Sequence, residues 1–396
     1  MLRLGLICDF SEEQWISMDI VGDRLAERIA GLAGSPIHVD KIRPPLQRRL
    51  TAISPFARSR RAWNADRLWN RMISYPNWLR DRRKHYDLFH IVDHSYAQLA
   101  RELPPSRTVI TCHDLDAFRC LFDPDRDPRP LWFRLMAKRI LSGFQRAGHV
   151  IFVSRTVRDE ANDLRLVKAE RSSVSYNGID PCYGSAPNDD SEREARRLLA
   201  GIPAEATIIL NVGSTIERKR LDLLLHIFAG VRARTPQAKL VRVGGSLTPV
   251  LARLANQLSI KEDIVTLPFL STDVLNAVYR RAALLLQTSE SEGFGLPLVE
   301  AMACGCPVIA SDLMVCREVG GTAADYCPVG ALNLWIESAV RIAGERTGDP
   351  ARWAERRCRS VANAKRFDWQ SSAAHAANIY QQLFVQAYSS GSKRRK

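Results

Sequence analysis

The chain has 396 residues, 46% hydrophobic and 25% charged, which fits a folded globular protein too long for one ordinary core. Its best apolar stretch, residues 296–311, is too short to span a bilayer and is interrupted by Glu300. The formal charge is +14, and residues 41–84 hold thirteen basic residues against only Asp66 and Asp81, a local field that implies an anionic partner. Nine cysteines suggest no disulfide framework, and Cys304 and Cys306 lack a second pair at zinc-ligand spacing. They read as small buried thiols of a reduced cytoplasm.

Residues 2–8 are too short for a signal-peptide core and are followed by Asp9, Glu12 and Glu13, so they predict a buried first strand. A helix is expected over 19–33, with extended segments at 88–92, 108–111, 150–153 and 173–176. Pro187, Asn188, Asp189 and Asp190 make 185–191 read as a linker. The second half alternates more clearly. Strand 207–212 is continuously apolar, and Leu221, Leu224, Leu225 and Phe228 recur at helical spacing. Strand 240–243, helix 249–258, strand 264–267, helix 272–281 and strand 283–287 follow, and a further helix leads into strand 308–310. This alternation predicts an α/β protein built of βαβ units and parallel sheets covered on both faces. Two domains are expected, 1–184 and 185–365, and the basic end 388–396 reads as a disordered tail.

The sharpest pattern is Ser289-Glu290-Ser291-Glu292-Gly293-Phe294-Gly295-Leu296-Pro297-Leu298-Val299-Glu300. It follows a strand, where open α/β sheets bind ligands. Gly293 and Gly295 permit close backbone approach, and Pro297 suits a helix start whose N–H groups would seat a phosphate or sugar oxygen. Glu292 and Glu300 would offer acceptors to a hydroxyl-rich ligand. An ordinary glycine turn with a helical glutamate would look the same. A second pattern, Gly213-Ser214-Thr215-Ile216-Glu217-Arg218-Lys219-Arg220, also joins a strand to a helix. Its three adjacent cations would repel one another and oppose the helix dipole unless a diphosphate lay among them, the other reading being a solvated basic turn.

Together with Ala301-Met302-Ala303-Cys304-Gly305-Cys306-Pro307-Val308-Ile309, the Glu292…Glu300 segment resembles the signature of retaining glycosyltransferases of the group-1, family 4 kind. Val212-Gly213…Arg218-Lys219 is similar to that family's phosphate turn, and Asn177-Gly178-Ile179-Asp180 to its interdomain motif. His113-Asp114 resembles its first-domain histidine, Phe152-Val153-Ser154 its Val-Ser before a helix, and Phe367-Asp368-Trp369 with Tyr380 its last helix. The resemblance implies the GT-B fold, two facing Rossmann-like domains with a helix over 366–387 crossing back to the first. It implies that Arg218 and Lys219 hold the donor diphosphate, with Arg218 supplying the charge that many relatives place at Ser214. Glu300 would bind the ribose, and Glu292 would contact the sugar near the reacting centre. Gly213 would shape the turn, the backbone of Gly293, Phe294 and Gly295 would seat the sugar and phosphate, and His113 would contact the sugar.

The expected reaction is transfer of a hexose, from GDP-mannose or a UDP-sugar, to a saccharide or lipid-linked saccharide in cell-surface polysaccharide or glycolipid assembly. Retention follows from the resemblance, as does the hexosyltransferase activity, of which a mannosyltransferase is one form. Fixed cations at the leaving diphosphate would replace a metal, so no metal or other cofactor is expected. The Asp-x-Asp spacings at Asp114/Asp116 and Asp123/Asp125/Asp127 lie far in sequence from the donor motifs. A sugar-nucleotide epimerase or phosphorylase on the same fold is an alternative, as is a basic membrane-surface or nucleic-acid binding protein. Phe56, Trp63, Trp69, Tyr75 and Trp78 interleave with the arginines of 41–84, but no RNA-binding signature accompanies them. The stretch is expected to dock the first domain on an anionic membrane, making the protein cytoplasmic and peripheral on the inner face of the cell membrane, without nucleic acid.

Overall fold

Largely apolar runs, buried in the central strands and partly exposed at the edges, form the strands of two six-stranded parallel sheets in the computed structural model, which describes residues 1–32, 36–184 and 186–392. The chain divides into two compact units, one of residues 1–177 with 369–396 and one of residues 178–368. The division therefore falls between Asn177 and Gly178, within the Asn-Gly-x-Asp sequence, rather than at 184/185.

In the first unit, β1 (Leu2–Ile7), β2 (Ile37–Ile42), β3 (Leu88–Ile91), β4 (Thr108–Cys112), β5 (His149–Phe152) and β6 (Ser172–Val174) lie in the order β2-β1-β3-β4-β5-β6. The order reverses beside β1, which makes the β1/β3 carboxyl edge a ligand position. Helices Ile16–Ala30 and Trp369–Ser392 cover one face, where Leu4, Leu6, Val21, Leu25, Ala373 and Tyr380 pack together. The buried His90 on β3 joins this helix to the sheet, its ring nitrogens lying 2.5 Å from Tyr380 Oη and 2.7 Å from Thr111 Oγ1. The other face packs against Arg60–Trp69, Tyr75–Arg82, Asp116–Phe122 and Leu131–Arg146 through Tyr75, Leu79, Phe118, Ile140 and Phe144.

In the second unit, β7 (Thr207–Val212), β8 (Ala238–Val243), β9 (Ile264–Leu267), β10 (Leu284–Gln287), β11 (Val308–Ser311) and β12 (Asp325–Cys327) lie in the order β12-β11-β10-β7-β8-β9. The chain runs outward from β7 to β9, returns to β10, and then runs outward the other way. The loops that follow β7 and β10 therefore meet at the reversal of strand order. Both carry the patterns singled out in the sequence.

Several local expectations change. The segment taken for a linker begins a helix, because Asn188 Oδ1 accepts a 2.8 Å bond from Ser191 N and Asp189, Asp190 and Glu192 suit the first turn of Asp189–Leu198. Residue 185 lies outside the described residues. The final helix continues through Ser392, so the tail expected to be disordered from 388 is helical that far, and 393–396 lie outside the described residues. The basic stretch is not one solvated face. Lys41 pairs with Asp23 at 2.6 Å, Arg67 with Glu13 at 2.9 Å and Arg80 with Glu102 at 2.8 Å, while Tyr75 is in the core and Trp63 and Trp78 pack against it. Phe56 and Trp69 are exposed. Among the described residues, no helix is long and apolar enough to cross a membrane.

Candidate functional site

The two loops of the second unit are tied to each other by backbone. After β7 the chain turns at Gly213 (φ 144°), makes a short turn at Glu217–Lys219, and enters Leu221–Arg234 through Arg220 in the left-handed region. After β10 it reaches Gly295 (φ 89°), which starts the helix Leu296–Ala303 with Pro297 as its second residue. A side chain at 295 would be strained by that φ, and its Cβ would lie 3.1 Å from Gln287 Nε2. Glu290 N donates to Arg218 O at 2.8 Å, Thr288 Oγ1 donates to Lys219 O at 2.9 Å, and Arg218 Nη1 donates to Ser291 O at 2.7 Å. Segments about seventy residues apart thus form one surface at the carboxyl ends of adjacent strands.

At its centre Lys219 Nζ lies 2.5 Å from Glu292 Oε1, and Arg218 Nη1 lies 3.6 Å from Glu292 Oε2. The Glu292 side chain is only 6% exposed and also accepts from Ser289 Oγ at 2.7 Å and Gln287 Nε2 at 2.9 Å. Burial opposes its charge, but Lys219 and Arg218 outweigh burial and hold the carboxyl below its ordinary pKa. Arg220 turns instead to Asp222 at 2.8 Å and Glu290 at 3.5 Å. This corrects the expectation that the three cations conflict until a diphosphate arrives: Glu292, Glu290 and Asp222 compensate them within the fold. The lysine ammonium has three donors, so its bond to Glu292 leaves capacity for an anion.

Glu300 stands in a different setting. Tyr279 Oη, itself buried, donates to Glu300 Oε2 at 3.0 Å. Burial pushes the Glu300 carboxyl up to about 7, with Asp180 adding to the rise and the Tyr279 and Tyr183 hydroxyls opposing it. One carboxylate is thereby kept charged while the other titrates near neutrality. Gly293, Phe294 and Gly295 are buried, and Phe294 packs edge-on against Phe367 with ring centroids 5.5 Å apart. Sequence patterns marked no role for Tyr279 or Gln287, and placed Ser289 in the motif without a partner for its hydroxyl. Tyr279 shows only helical spacing within Thr272–Arg281, and its contact with Glu300 depends on the tertiary fold.

His113 lies in the first unit, directly after β4. Its Nε2 is 2.8 Å from Val92 O, and because a carbonyl only accepts, that nitrogen carries the proton. Burial lowers the His113 pKa, so the ring is neutral and Nδ1 is the acceptor. Next to it His94 lies 3.4 Å from both Asp93 and Asp114, which raise its pKa against the effect of burial. Asp9, after β1, is buried and strongly raised by that burial and by Asp93, and its Oδ2 has no hydrogen-bond partner. Of the acids with Asp-x-Asp spacing, Asp116 pairs with Arg119, Asp123 with Arg126 and Asp127 with Arg129.

Residues 30–182 match the family described as Glycosyltransferase Family 4, and residues 192–324 match Glycosyl transferases group 1. The chain is 27% identical over 334 residues to D-inositol 3-phosphate glycosyltransferase of Rhodococcus opacus, covering 78% of this chain and 70% of that one. Among solved structures, sucrose-phosphate synthase from Thermosynechococcus elongatus superposes with a TM-score of 0.75 at 20% identity, covering 98% of this chain and all of the other. Anabaena HepE in complex with UDP-glucose superposes with a TM-score of 0.66 at 17% identity over 98% of this chain and all of that chain. At such identities the superpositions speak for the fold. With both halves matched by consecutive family descriptions and the paired loops in place, the chain belongs to the group-1 glycosyltransferases and has the GT-B fold.

Proposed function

We propose that the protein is a retaining hexosyltransferase using a nucleotide-diphosphate sugar, GDP-mannose or a UDP-sugar, and a saccharide or lipid-linked saccharide acceptor. Its place would be cell-surface polysaccharide or glycolipid assembly, on the cytoplasmic face of the membrane. The observation that carries this reading is the Arg218–Lys219–Glu292 cluster at the meeting of the β7 and β10 loops. The UDP-glucose in the Anabaena relative supports a donor of this class.

In this reading Lys219 and Arg218 hold the diphosphate and offset the negative charge that grows as it departs. Because those charges are fixed before the donor arrives, little reorganisation is needed, and no metal is required. Glu292 orients Lys219 and accepts from a sugar hydroxyl. Glu300 accepts from the ribose hydroxyls once ionised, and neutral His113 offers Nδ1 to the sugar. The backbone of Gly293, Phe294 and Gly295 lies close to the sugar and phosphate because no side chain intervenes at the glycines.

The test is a thermal-shift screen of purified protein against nucleotide sugars, followed by product analysis with and without saccharide acceptors. A stabilising donor and acceptor-dependent product with the donor's anomeric configuration are expected. Product formed without an acceptor would indicate an epimerase, and an inverted product would overturn retention.

A further inference from the structure

The basic stretch contains a cavity that the glycosyl-transfer chemistry does not use. It has a volume of about 310 Å³ and is lined by Arg48, Thr51, Arg58, Ser59, Arg60 and Trp63. Three guanidinium groups meet there at the start of the helix Arg60–Trp69. Ser59 caps that helix, its hydroxyl accepting from Ala62 N at 3.3 Å, and the first turn holds no acidic residue. Arg60 and Arg61 oppose the helix dipole at this end, where an anion would be favoured. Among the described residues, Arg48, Arg58, Arg60 and Arg61 have no carboxylate partner. Lys41, Arg67 and Arg80 of the same stretch are paired with carboxylates, whereas Arg82, Arg83 and Lys84, which do not line the cavity, have no carboxylate partner among the described residues either.

The cavity wall is fixed from beneath. Asp66, 1% exposed, accepts from Leu50 N at 2.8 Å, Thr51 N at 2.9 Å and Thr51 Oγ1 at 2.7 Å. Asn70 exchanges bonds with the Gln47 backbone at 2.8 and 2.9 Å. Asp66 is therefore committed to holding the loop rather than to pairing with the arginines. On the same loop Leu50, Ile53 and Phe56 are 42%, 50% and 48% exposed.

We infer that this cavity binds the phosphate of an anionic lipid headgroup while Leu50, Ile53 and Phe56 enter the bilayer interface. Arginine suits phosphate because its planar donors match two oxygens at once. The half-buried Trp63 suits the headgroup layer, where an aromatic body and a polar edge are both accommodated. Aliphatic Leu50 and Ile53 provide no surface for base stacking, which favours lipid over nucleic acid. The inference deepens the membrane part of the function proposed above and does not depend on its donor chemistry.

The test uses the full chain in co-sedimentation with phosphatidylcholine vesicles carrying rising fractions of phosphatidylglycerol, in low and high salt. Replacing Arg48, Arg58 and Arg60 together by Gln should weaken binding on the order of 100-fold, since each surface cation contributes about 1 kcal/mol. Replacing Arg82, Arg83 and Lys84 together by Gln removes equal charge elsewhere in the stretch and should cost less than about 10-fold. Ile53→Ser with Phe56→Ser should abolish the binding that survives high salt. Circular dichroism checks folding, and nucleotide-sugar affinity should be unchanged in every variant, which separates failure here from failure of the donor reading. Equal losses in the two cation triples would overturn the site in favour of diffuse attraction, and an Arg48/Arg58/Arg60 variant that still binds would overturn it outright. Tighter binding to a single-stranded oligonucleotide than to the anionic vesicles would overturn the assignment to lipid.

Discussion

Lowering the pH from about 8 to about 5 should weaken donor binding through Glu300, because the buried carboxyl must be charged to accept from two ribose hydroxyls. In the free protein burial holds that carboxyl near 7, against an ordinary value of 4.5. If bound hydroxyls return it to the ordinary value, affinity falls about 70-fold across this range, roughly 2.5 kcal/mol, with most of the change below about pH 7. The sign for folding is the reverse of the usual carboxylate case. A raised carboxyl favours the folded state when protonated, and this contribution is lost as pH rises from about 4.5 through about 7. Donor affinity and fold stability should therefore move in opposite directions over the same window. The assay is calorimetric titration of the nucleotide sugar at several pH values, with thermal unfolding alongside, for wild type and Glu300→Gln. The variant should bind more weakly above pH ~7 and show a nearly flat pH profile. A wild-type affinity independent of pH, or an identical slope in Glu300→Gln, would refute the assignment of Glu300 to the ribose.

Tyr279→Phe removes a hydroxyl that favours the charged form of Glu300, so the midpoint of the pH profile should move upward. An unmoved midpoint would show that the Tyr279 bond does not control this carboxyl. Lys219→Ala should lower turnover and also cost on the order of 3 kcal/mol of stability, because it leaves Glu292 buried beside a lost partner. Lys219→Met with Glu292→Gln should recover much of that stability without recovering turnover, and equal recovery of both would make the pair purely structural. Activity should survive EDTA, since Arg218 and Lys219 supply the charge at the diphosphate; loss of activity restored by magnesium or manganese would contradict this.

The central strands of the second unit were legible because they are buried and read as largely apolar runs, as Thr207–Val212 and Leu284–Gln287 do. Edge strands carry less of that signal. β2 interrupts its apolar residues with exposed His38 and Lys41 and half-buried Asp40, and β12 has only three residues, so neither stood out. Asn188-Asp189-Asp190 was ambiguous for a local reason: the same polar cluster suits a linker and a helix start, and only the bond from Asn188 to Ser191 decides. The site showed a similar division. Glycines and charges at strand ends marked both loops, but nothing in a linear reading could reveal that Glu292 turns to Lys219 or that Tyr279 reaches Glu300. Those contacts join residues 73 and 21 positions apart.

The most direct measurement is the affinity for UDP and GDP, by equilibrium titration, of wild type and of Arg218→Ala with Lys219→Ala, each shown to be folded. Removing two charge-assisted contacts to the diphosphate should weaken the preferred nucleotide by at least about 100-fold, while the corresponding nucleoside, which lacks phosphate, binds both proteins alike. A double variant that binds the diphosphate as tightly as wild type would contradict placing the donor where the β7 and β10 loops meet.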